Sequence, residues 1–224
     1  MKNKSIFQII DIIFYTLLFV LLKLFNSMNR VSYKKFPIVY GRVQVRGNNG
    51  VIDIKGSSRL RILGQIRLIF NDDHHSGLLQ IDSSCIVDYE VTLAPRGGRI
   101  FIKEDTFIGP NVCVQSYAGT DIAIGERVMI AKDTSIFASN HIISNPLEGY
   151  RSELGKSIVI ENDVWIGANS IITAGVRIGQ YSIIGAGAVV TINIPEFSMA
   201  VGNPARVIKK FDLNQSIWVN IEIK

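Results

Sequence analysis

Residues 160–195 read IENDVWIGANSIITAGVRIGQYSIIGAGAVVTINIP, and their regular spacing is the strongest indication of the fold in this chain. Its aliphatic residues recur at every sixth position, namely Ile160, Ile166, Ile172, Ile178, Ile184 and Val190. A small or β-branched residue stands two positions before each of them, as at Val164 and Ser170. Because residues two apart in a strand point to the same face, both series face one interior. A unit that is half strand and half turn forms one side of a triangular prism, and stacked coils of three units bury a continuous aliphatic column.

The same period extends upstream, with two interruptions. It continues through Ile102, Ile108, Val114, Ile124, Ile130 and Ile136. The repeat shifts by four residues between Val114 and Ile124, and residues 142–157 (IISNPLEGYRSELGKS) predict an extruded loop rich in turn-forming and charged residues. A β-sandwich is the competing interpretation, but its variable loops do not keep a strict period over six consecutive units. The sequence therefore predicts an all-β, parallel β-helix domain over residues 36–210, with looser early coils over 40–100 and a C-terminal tail over 211–224.

Composition limits the class of protein and its partners. The 224-residue chain is 47% hydrophobic and 19% charged, which excludes a disordered protein. Its net charge of +5 lies largely near the two ends, which favours contact with phosphates or an anionic membrane surface. The charge is too dispersed to predict nucleic-acid binding. Two cysteines, Cys85 and Cys113, do not form a disulfide framework and indicate buried thiols in a reducing compartment.

An apolar run from Ile6 to Phe25 predicts a hydrophobic helix within an N-terminal segment of residues 1–35. Gln8, Asp11 and Lys23 interrupt the run. A charge at membrane depth costs about 2.5–3.5 kcal/mol, so a transmembrane span ranks third. Two interpretations stay open: residues 5–25 lie on a membrane or on the protein's own trimer, or the helix caps the solenoid. We expect a cytoplasmic protein with a peripheral contact on the inner face of the cell membrane.

Three further stretches carry a specific resemblance. They are residues 122–141 (IAIGERVMIAKDTSIFASNH), the sequences VWIGAN at 164–169 and IGAGAVVT at 184–191, and GNPARVIK at 202–209. Together they resemble the hexapeptide-repeat acetyltransferases, in the branch of galactoside, maltose and polysaccharide O-acetyltransferases. The resemblance covers roughly residues 100–210. It implies a left-handed β-helix, a homotrimer, acetyl-CoA as co-substrate in a groove between subunits, a saccharide acceptor and no metal.

His141 matches the catalytic histidine of that family. A neutral imidazole can take a proton from a sugar hydroxyl while the oxygen attacks a thioester carbonyl. The competing interpretation is a histidine at a loop boundary with no chemical role. Its orienting partner stays open between Glu148, Glu153 and a backbone carbonyl. The resemblance assigns the donor for the oxyanion to the backbone N–H of Ala168.

The resemblance also implies the binding residues. For the coenzyme these are Ala131, Trp165, Ala168, Ala186, Thr191, Arg206 and Lys209. For the acceptor they are Asn111 and Asn140. One departure stands at Ile192-Asn193, where the family continues with Lys-Asp. Either Arg206 and Lys209 supply enough positive charge for the phosphates, or CoA binds more weakly than in relatives.

His74 and His75 lie beside Asp72 and Asp73, a composition that is also found in metal sites. No third ligand shares their spacing, so a polar turn between strands is the preferred interpretation, and we expect no metal.

The sequence leaves three candidate functions for this protein. The leading one is O-acetyl transfer to a sugar hydroxyl of a bacterial surface polysaccharide or its lipid-linked precursor. The alternative is N-acyl transfer to an amino sugar nucleotide, although the chain lacks a Gly-rich βαβ segment for nucleotide binding. The lesser alternative is a non-catalytic trimeric scaffold, which predicts no CoA binding.

Overall fold

The structure is a computed structural model of the whole chain. It describes residues 30–33, 38–40, 43–46, 50–54, 61–63, 66–69, 77–142 and 152–221. The predicted N-terminal helix, His74, His75 and most of the predicted loop lie outside these ranges. In the described part no helix has the length and apolarity that a membrane span requires.

The described residues form short β-strands joined by tight turns. In chain order the strands are β1 (Arg30–Tyr33), β2 (Ile38–Tyr40), β3 (Val43–Arg46), β4 (Gly50–Ile54), β5 (Arg61–Leu63), β6 (Ile66–Ile69), β7 (Gly77–Ile81), β8 (Ile86–Val87), β9 (Val91–Arg96), β10 (Arg99–Ile102), β11 (Phe107–Ile108), β12 (Cys113–Tyr117), β13 (Asp121–Ile124), β14 (Met129–Ile130), β15 (Ser135–Phe137), β16 (Ser139–Ile142), β17 (Ser152–Gly155), β18 (Ile158–Ile160), β19 (Trp165–Ile166), β20 (Ile171–Ile172), β21 (Arg177–Ile178), β22 (Ile183–Ile184), β23 (Val189–Val190), β24 (Ser198–Val201), β25 (Arg206–Asp212) and β26 (Ile217–Asn220).

Three parallel sheets form the sides of a prism, because each coil adds one strand to each sheet. Sheet A contains β1, β4, β7, β10, β13, β18 and β21, and sheet C contains β3, β6, β9, β12, β15, β20 and β23. Sheet B contains β2, β5, β8, β11, β14, β19, β22 and β24, and the antiparallel strands β25 and β26 extend it. The predicted parallel β-helix is therefore confirmed. The left hand that the resemblance implies stays a prediction.

The six-residue period places its aliphatic residues in columns inside the prism. Ile130, Ile166 and Ile184 are register partners in sheet B, and each is 0% exposed. The columns of sheets A and C are buried in the same way. Fully burying one such side chain contributes about 1.5–3 kcal/mol, so the columns supply most of the driving force for the coil.

Sharp corners between the sheets place successive coils in register. Sheet B turns into sheet C at Asn111, Asp133 and Asn169, which have φ near +60°, and at Gly187. Asn and Asp tolerate this left-handed conformation better than most residues. We call this line of corners the B–C edge. The line of corners that follows the strands of sheet C, at Gly97, Gly119 and Gly175, is the C–A edge.

Two elements leave the regular coil. Strands β16 and β17 form an antiparallel pair at the C–A edge, which we call the ribbon. The chain enters the ribbon at Ser139, before the predicted loop start at residue 142, and residues 143–151 lie outside the described part. At the C-terminal end, the predicted boundary between residues 210 and 211 falls inside β25, since the hairpin of β25 and β26 continues sheet B.

Candidate active site

His141 lies on the ribbon, where it pairs in register with Glu153. Its side chain is exposed, so a substrate hydroxyl can reach the imidazole. Within the described residues the imidazole has no hydrogen-bond partner. The side chains of Glu148 and Glu153, two of the predicted orienting partners, lie outside those residues.

A groove of about 350 Å³ lies between the ribbon and the outer surface of sheet C. Its lining includes the cross-strand pair Asn140 and Leu154 from the ribbon, together with Phe137, Lys156 and Thr173. The structure therefore places Asn140, a predicted acceptor residue, in a concave site beside His141.

His141 itself does not line this groove. Successive side chains of a strand point to opposite faces, so an imidazole that follows Asn140 lies on the other face of the ribbon. The ribbon thus carries both features, but the groove lies on one of its faces and the His141 imidazole lies on the other.

Ala168 and Ala186 occupy the same position in successive coils of the B–C edge. The carbonyl of Ala168 accepts a hydrogen bond from the N–H of Gly187 at 2.8 Å. The N–H groups of Ala168 and Ala186 have no acceptor within the described part of the chain. Successive coils are about 4.8 Å apart, so this edge presents two unpaired donors one coil apart. Such donors are what a developing oxyanion or an amide carbonyl requires.

Ala131 does not belong to this pair of donors. Its N–H already donates to the carbonyl of Ile166 at 2.9 Å. The residue that matches Ala168 one coil earlier is Lys132, because the N–H of Asn169 donates to Lys132 as Gly187 donates to Ala168. Ala131 can offer a ligand only its carbonyl oxygen.

Asn111 also lies on the B–C edge, but its side chain already has a structural contact. Its Nδ2 donates to Oδ1 of Asp133 at 2.7 Å, and its φ is 60°. This hydrogen bond, with the neighbouring Lys132, lowers the pKa of the Asp133 carboxyl below its ordinary value. Asn111 is exposed, so a second contact to an acceptor stays a prediction.

Trp165 and Lys209 lie on one row of the outer surface of sheet B. The row runs through the register partners Trp165, Ile183, Met199 and Lys209. Trp165 is 47% exposed. Three strand spacings, about 14 Å along the sheet, separate the backbone positions of Trp165 and Lys209. Two of the predicted coenzyme residues therefore share one surface.

The remaining predicted coenzyme residues lie near the C-terminal end of the solenoid. Thr191 follows β23 at the C–A edge, as Thr173 follows β20 one coil earlier. Arg206 is exposed, and its Nη1 donates to the carbonyl of Ala205 at 2.9 Å.

The departure at Ile192-Asn193 has a structural role. Ile192 is 51% exposed. The Oδ1 of Asn193 accepts the N–H of Arg177 at 2.8 Å and so replaces a missing backbone partner for β21.

The predicted site residues thus fall on the two borders of sheet C and on the outer surface of sheet B, where Trp165 and Lys209 lie. Asn111, Ala168 and Ala186 lie along the B–C edge, whereas Asn140 and His141 lie on the ribbon at the C–A edge. Sequence reasoning missed Phe137, Lys156 and Thr173, which line the groove between these borders. Their only sequence signal was their position: Phe137 stands before the predicted loop, Lys156 stands near the end of that loop, and Thr173 lies one coil further along the solenoid. In the described residues no group of three or more His, Cys, Asp or Glu is placed to hold a metal ion.

Comparison with known proteins adds the family. Residues 157–191 match the bacterial transferase hexapeptide family (six repeats). A galactoside O-acetyltransferase from Lactococcus lactis is 40% identical over 93 residues, which cover 42% of this chain and 45% of the relative. The chain thus spans about half the length of such relatives. A 2,3,4,5-tetrahydropyridine-2,6-dicarboxylate N-acetyltransferase from Brevibacillus brevis is 31% identical over 211 residues, covering 81% of this chain and 87% of the relative.

Two solved structures share the fold. The polySia-specific acetyltransferase NeuO matches with a TM-score of 0.57 at 25% identity, over 86% of this chain and 84% of its own. AntD, an N-acyltransferase from Bacillus cereus solved with dTDP and 3-hydroxybutyryl-CoA, matches with a TM-score of 0.54 at 19% identity, over 87% and 90%. The repeat, the prism and the near full-length similarity to the B. brevis relative agree, and the chain belongs to the bacterial transferase hexapeptide family.

Proposed function

We propose that this protein is an acetyl-CoA-dependent O-acetyltransferase that acts on a sugar hydroxyl. The observation that carries the proposal is the pair of unpaired backbone N–H groups at Ala168 and Ala186, on a chain that also presents an exposed imidazole at His141. A base, an oxyanion donor and cations for phosphates are what acyl transfer from a CoA thioester requires. The similarity to a galactoside O-acetyltransferase supports the acceptor class.

Each group has one task in this mechanism. His141 accepts the proton of the sugar hydroxyl as that oxygen bonds to the thioester carbonyl carbon. The N–H of Ala168 stabilises the negative charge on the former carbonyl oxygen. When the carbon–sulfur bond breaks, the proton passes from His141 to the departing sulfur, and a sugar ester and free CoA result.

The described residues fit a CoA molecule. Backbone donors at Ala168 and Ala186 suit the amide-rich pantetheine arm, and Trp165 offers an exposed aromatic surface. Lys209 and Arg206 supply positive charge for the phosphates. No described side chain group suggests a metal, and the chemistry above needs none.

The active unit in this proposal is a homotrimer. The B–C edge and the ribbon lie on opposite borders of sheet C, so the ribbon of one copy would meet the B–C edge of another. Each site would then take its base from one subunit and its oxyanion donor from the next.

The acceptor would be a bacterial surface polysaccharide or its lipid-linked precursor, modified at the inner face of the cytoplasmic membrane. The apolar run from Ile6 to Phe25 motivates this location, because an enzyme for free sugars has no need of it.

N-acyl transfer to an amino sugar nucleotide is the second candidate. The relative with the widest coverage reported above is named as an N-acetyltransferase. An amine differs from a hydroxyl as acceptor, but both reactions use the same base and oxyanion donor. The products differ, because one reaction gives an ester and the other an amide.

The test is release of CoA from acetyl-CoA with a panel of sugars and amino sugars. His141→Ala should lower kcat by about 10²–10⁴-fold, while His75→Ala, the same chemical change elsewhere, should not. Mass spectrometry and mild alkali, which cleaves esters but leaves amides, identify the product. Activity of His141→Ala within about threefold of wild type contradicts the mechanism, since general-base catalysis supplies far more than that.

A further inference from the structure

The outer surface of sheet C carries no carboxylate in strands β9, β12, β15, β20 and β23. The charged residue in these strands is Arg96. The outer surface of sheet A differs, because its cations have partners. Lys103 pairs with Asp82 at 3.2 Å, Arg99 with Asp121 at 2.6 Å, and Arg177 pairs with Glu161. These five strands of sheet C thus contribute one cation and no carboxylate to the outer surface.

Arg96 lies over this surface. Its guanidinium is close enough to the Cys113 thiol to oppose the rise in pKa that burial causes there. The Nε of Arg96 is buried and has no hydrogen-bond partner in the described part of the chain.

Lys156 lies two coils further along the C–A edge and lines the groove. Its stem packs beside Gly175, where an added Cβ would lie 3.1 Å from Cδ of the lysine. Its ammonium has no ion-pair partner among the described residues. Among the described residues that line the groove, Lys156 carries a charge and the others are uncharged.

The rest of the groove suits a sugar ring. Phe137 and Leu154 supply apolar surface for its C–H groups, and Asn140 and Thr173 supply polar atoms for its hydroxyls. Sites of this kind are mostly apolar with a few polar groups that fix orientation.

We propose that the groove at Lys156 binds an acidic sugar of the acceptor, with the Lys156 ammonium on its carboxylate. The inference rests on the proposed function for the identity of the acceptor as a saccharide. Arg96 extends the same basic surface and adds attraction for further negative charge along the chain of sugars. The neutral analogue, which lacks the charge-assisted contact, binds more weakly.

The experiment measures binding without coenzyme, so that it does not depend on turnover. A glucuronate-containing disaccharide and its methyl ester are titrated into the full chain by calorimetry or NMR. For the acid, Lys156→Gln weakens the affinity about three- to tenfold, the range expected of one partly exposed charge-assisted contact. For the ester, the same variant changes little. Lys103→Gln, which removes a lysine from sheet A, leaves both affinities unchanged.

A parallel titration with CoA distinguishes the two sources of negative charge. Lys156→Gln should leave CoA affinity unchanged. The inference is overturned if the variant weakens CoA instead, if the ester binds wild type as tightly as the acid, or if neither sugar binds. If the acidic disaccharide binds as predicted but the protein transfers no acetyl group to any sugar, the proposed function is wrong while the acidic-sugar site is retained.

Discussion

Replacing Gly167 with alanine tests whether the oxyanion donor is set by the spacing between coils. A Cβ at Gly167 would lie 2.5 Å from the backbone nitrogen of Ala186 and 2.9 Å from its Cα. Ordinary contact begins at 3.4 Å, so the turn at Ala186 must retreat by about 0.9 Å. Backbone atoms cannot rotate out of the way as the end of a side chain can, and the shift therefore reaches both candidate donors.

Two magnitudes follow from this displacement. Overpacking of this kind costs about 1–3 kcal/mol of unfolding free energy. In a chain of this length that lowers Tm by about 3–10 °C. A misplacement of about 1 Å at a reacting centre costs about 10²-fold in rate. We therefore expect Gly167→Ala to fold, to melt earlier, and to lose about two orders of magnitude in kcat/KM.

Gly179→Ala is the matched control. Its Cβ would lie 2.3 Å from the nitrogen of Glu196, an equally severe backbone clash, but at the corner between sheets A and B. Calorimetry should show similar losses of Tm for both variants, while acetyl transfer should fail in Gly167→Ala alone. Equal activity of the two variants, both low or both near wild type, would refute the assignment of Ala168 and Ala186 to the site.

Two further predictions test the coenzyme site and the core. Ile192→Lys introduces the cation that the resemblance implies at this position. Because Ile192 is 51% exposed, the change should not lower the free energy of unfolding. The Kd for CoA should fall about three- to tenfold by calorimetry, with Ile192→Gln as the uncharged control. Burial raises the pKa of the Cys85 thiol to about 12. In the unfolded chain the same thiol has its ordinary pKa of 9.0. The protonated thiol therefore makes its full contribution to the free energy of unfolding below pH 9, and this contribution is lost as the pH rises towards 12. Urea titrations should show wild type losing about 2 kcal/mol more than Cys85→Ala between pH 8 and 10.5, and equal losses would contradict a buried, protonated thiol.

The six-residue period predicted the interior of the prism because it is a property of the chain alone. Every aliphatic residue from Ile160 to Val190 at that spacing is buried, as the alternation of side chains requires. The pairing of the ribbon was not predictable in the same way. It depends on contacts between Ser139–Ile142 and Ser152–Gly155, which no periodicity links.

The candidate site shows the same division. Ala168 and Ala186 are eighteen residues apart, one full coil of three six-residue units, so their common edge follows from spacing. Ala131 is separated from Ala168 by the ribbon insertion, and the resemblance pointed to this residue, whereas the structure matches Lys132 to Ala168. Lys156 carries no motif. Its significance arises from the absence of carboxylates on a surface whose strands come from five different coils.

The division of the site between two borders of sheet C also bears on why such an enzyme would be oligomeric. Ala168 and Thr173 stand at the two borders of sheet C with strand β20 between them, and His141 lies on the ribbon at the border on the side of Thr173. A base must approach within about 3 Å of the proton that it takes, and reacting atoms must come within about 3.5 Å. A rigid prism cannot fold one of its edges onto another. In our proposal a neighbouring copy closes that distance, so the stiffness that the buried columns give each subunit is also what makes the trimer necessary for chemistry.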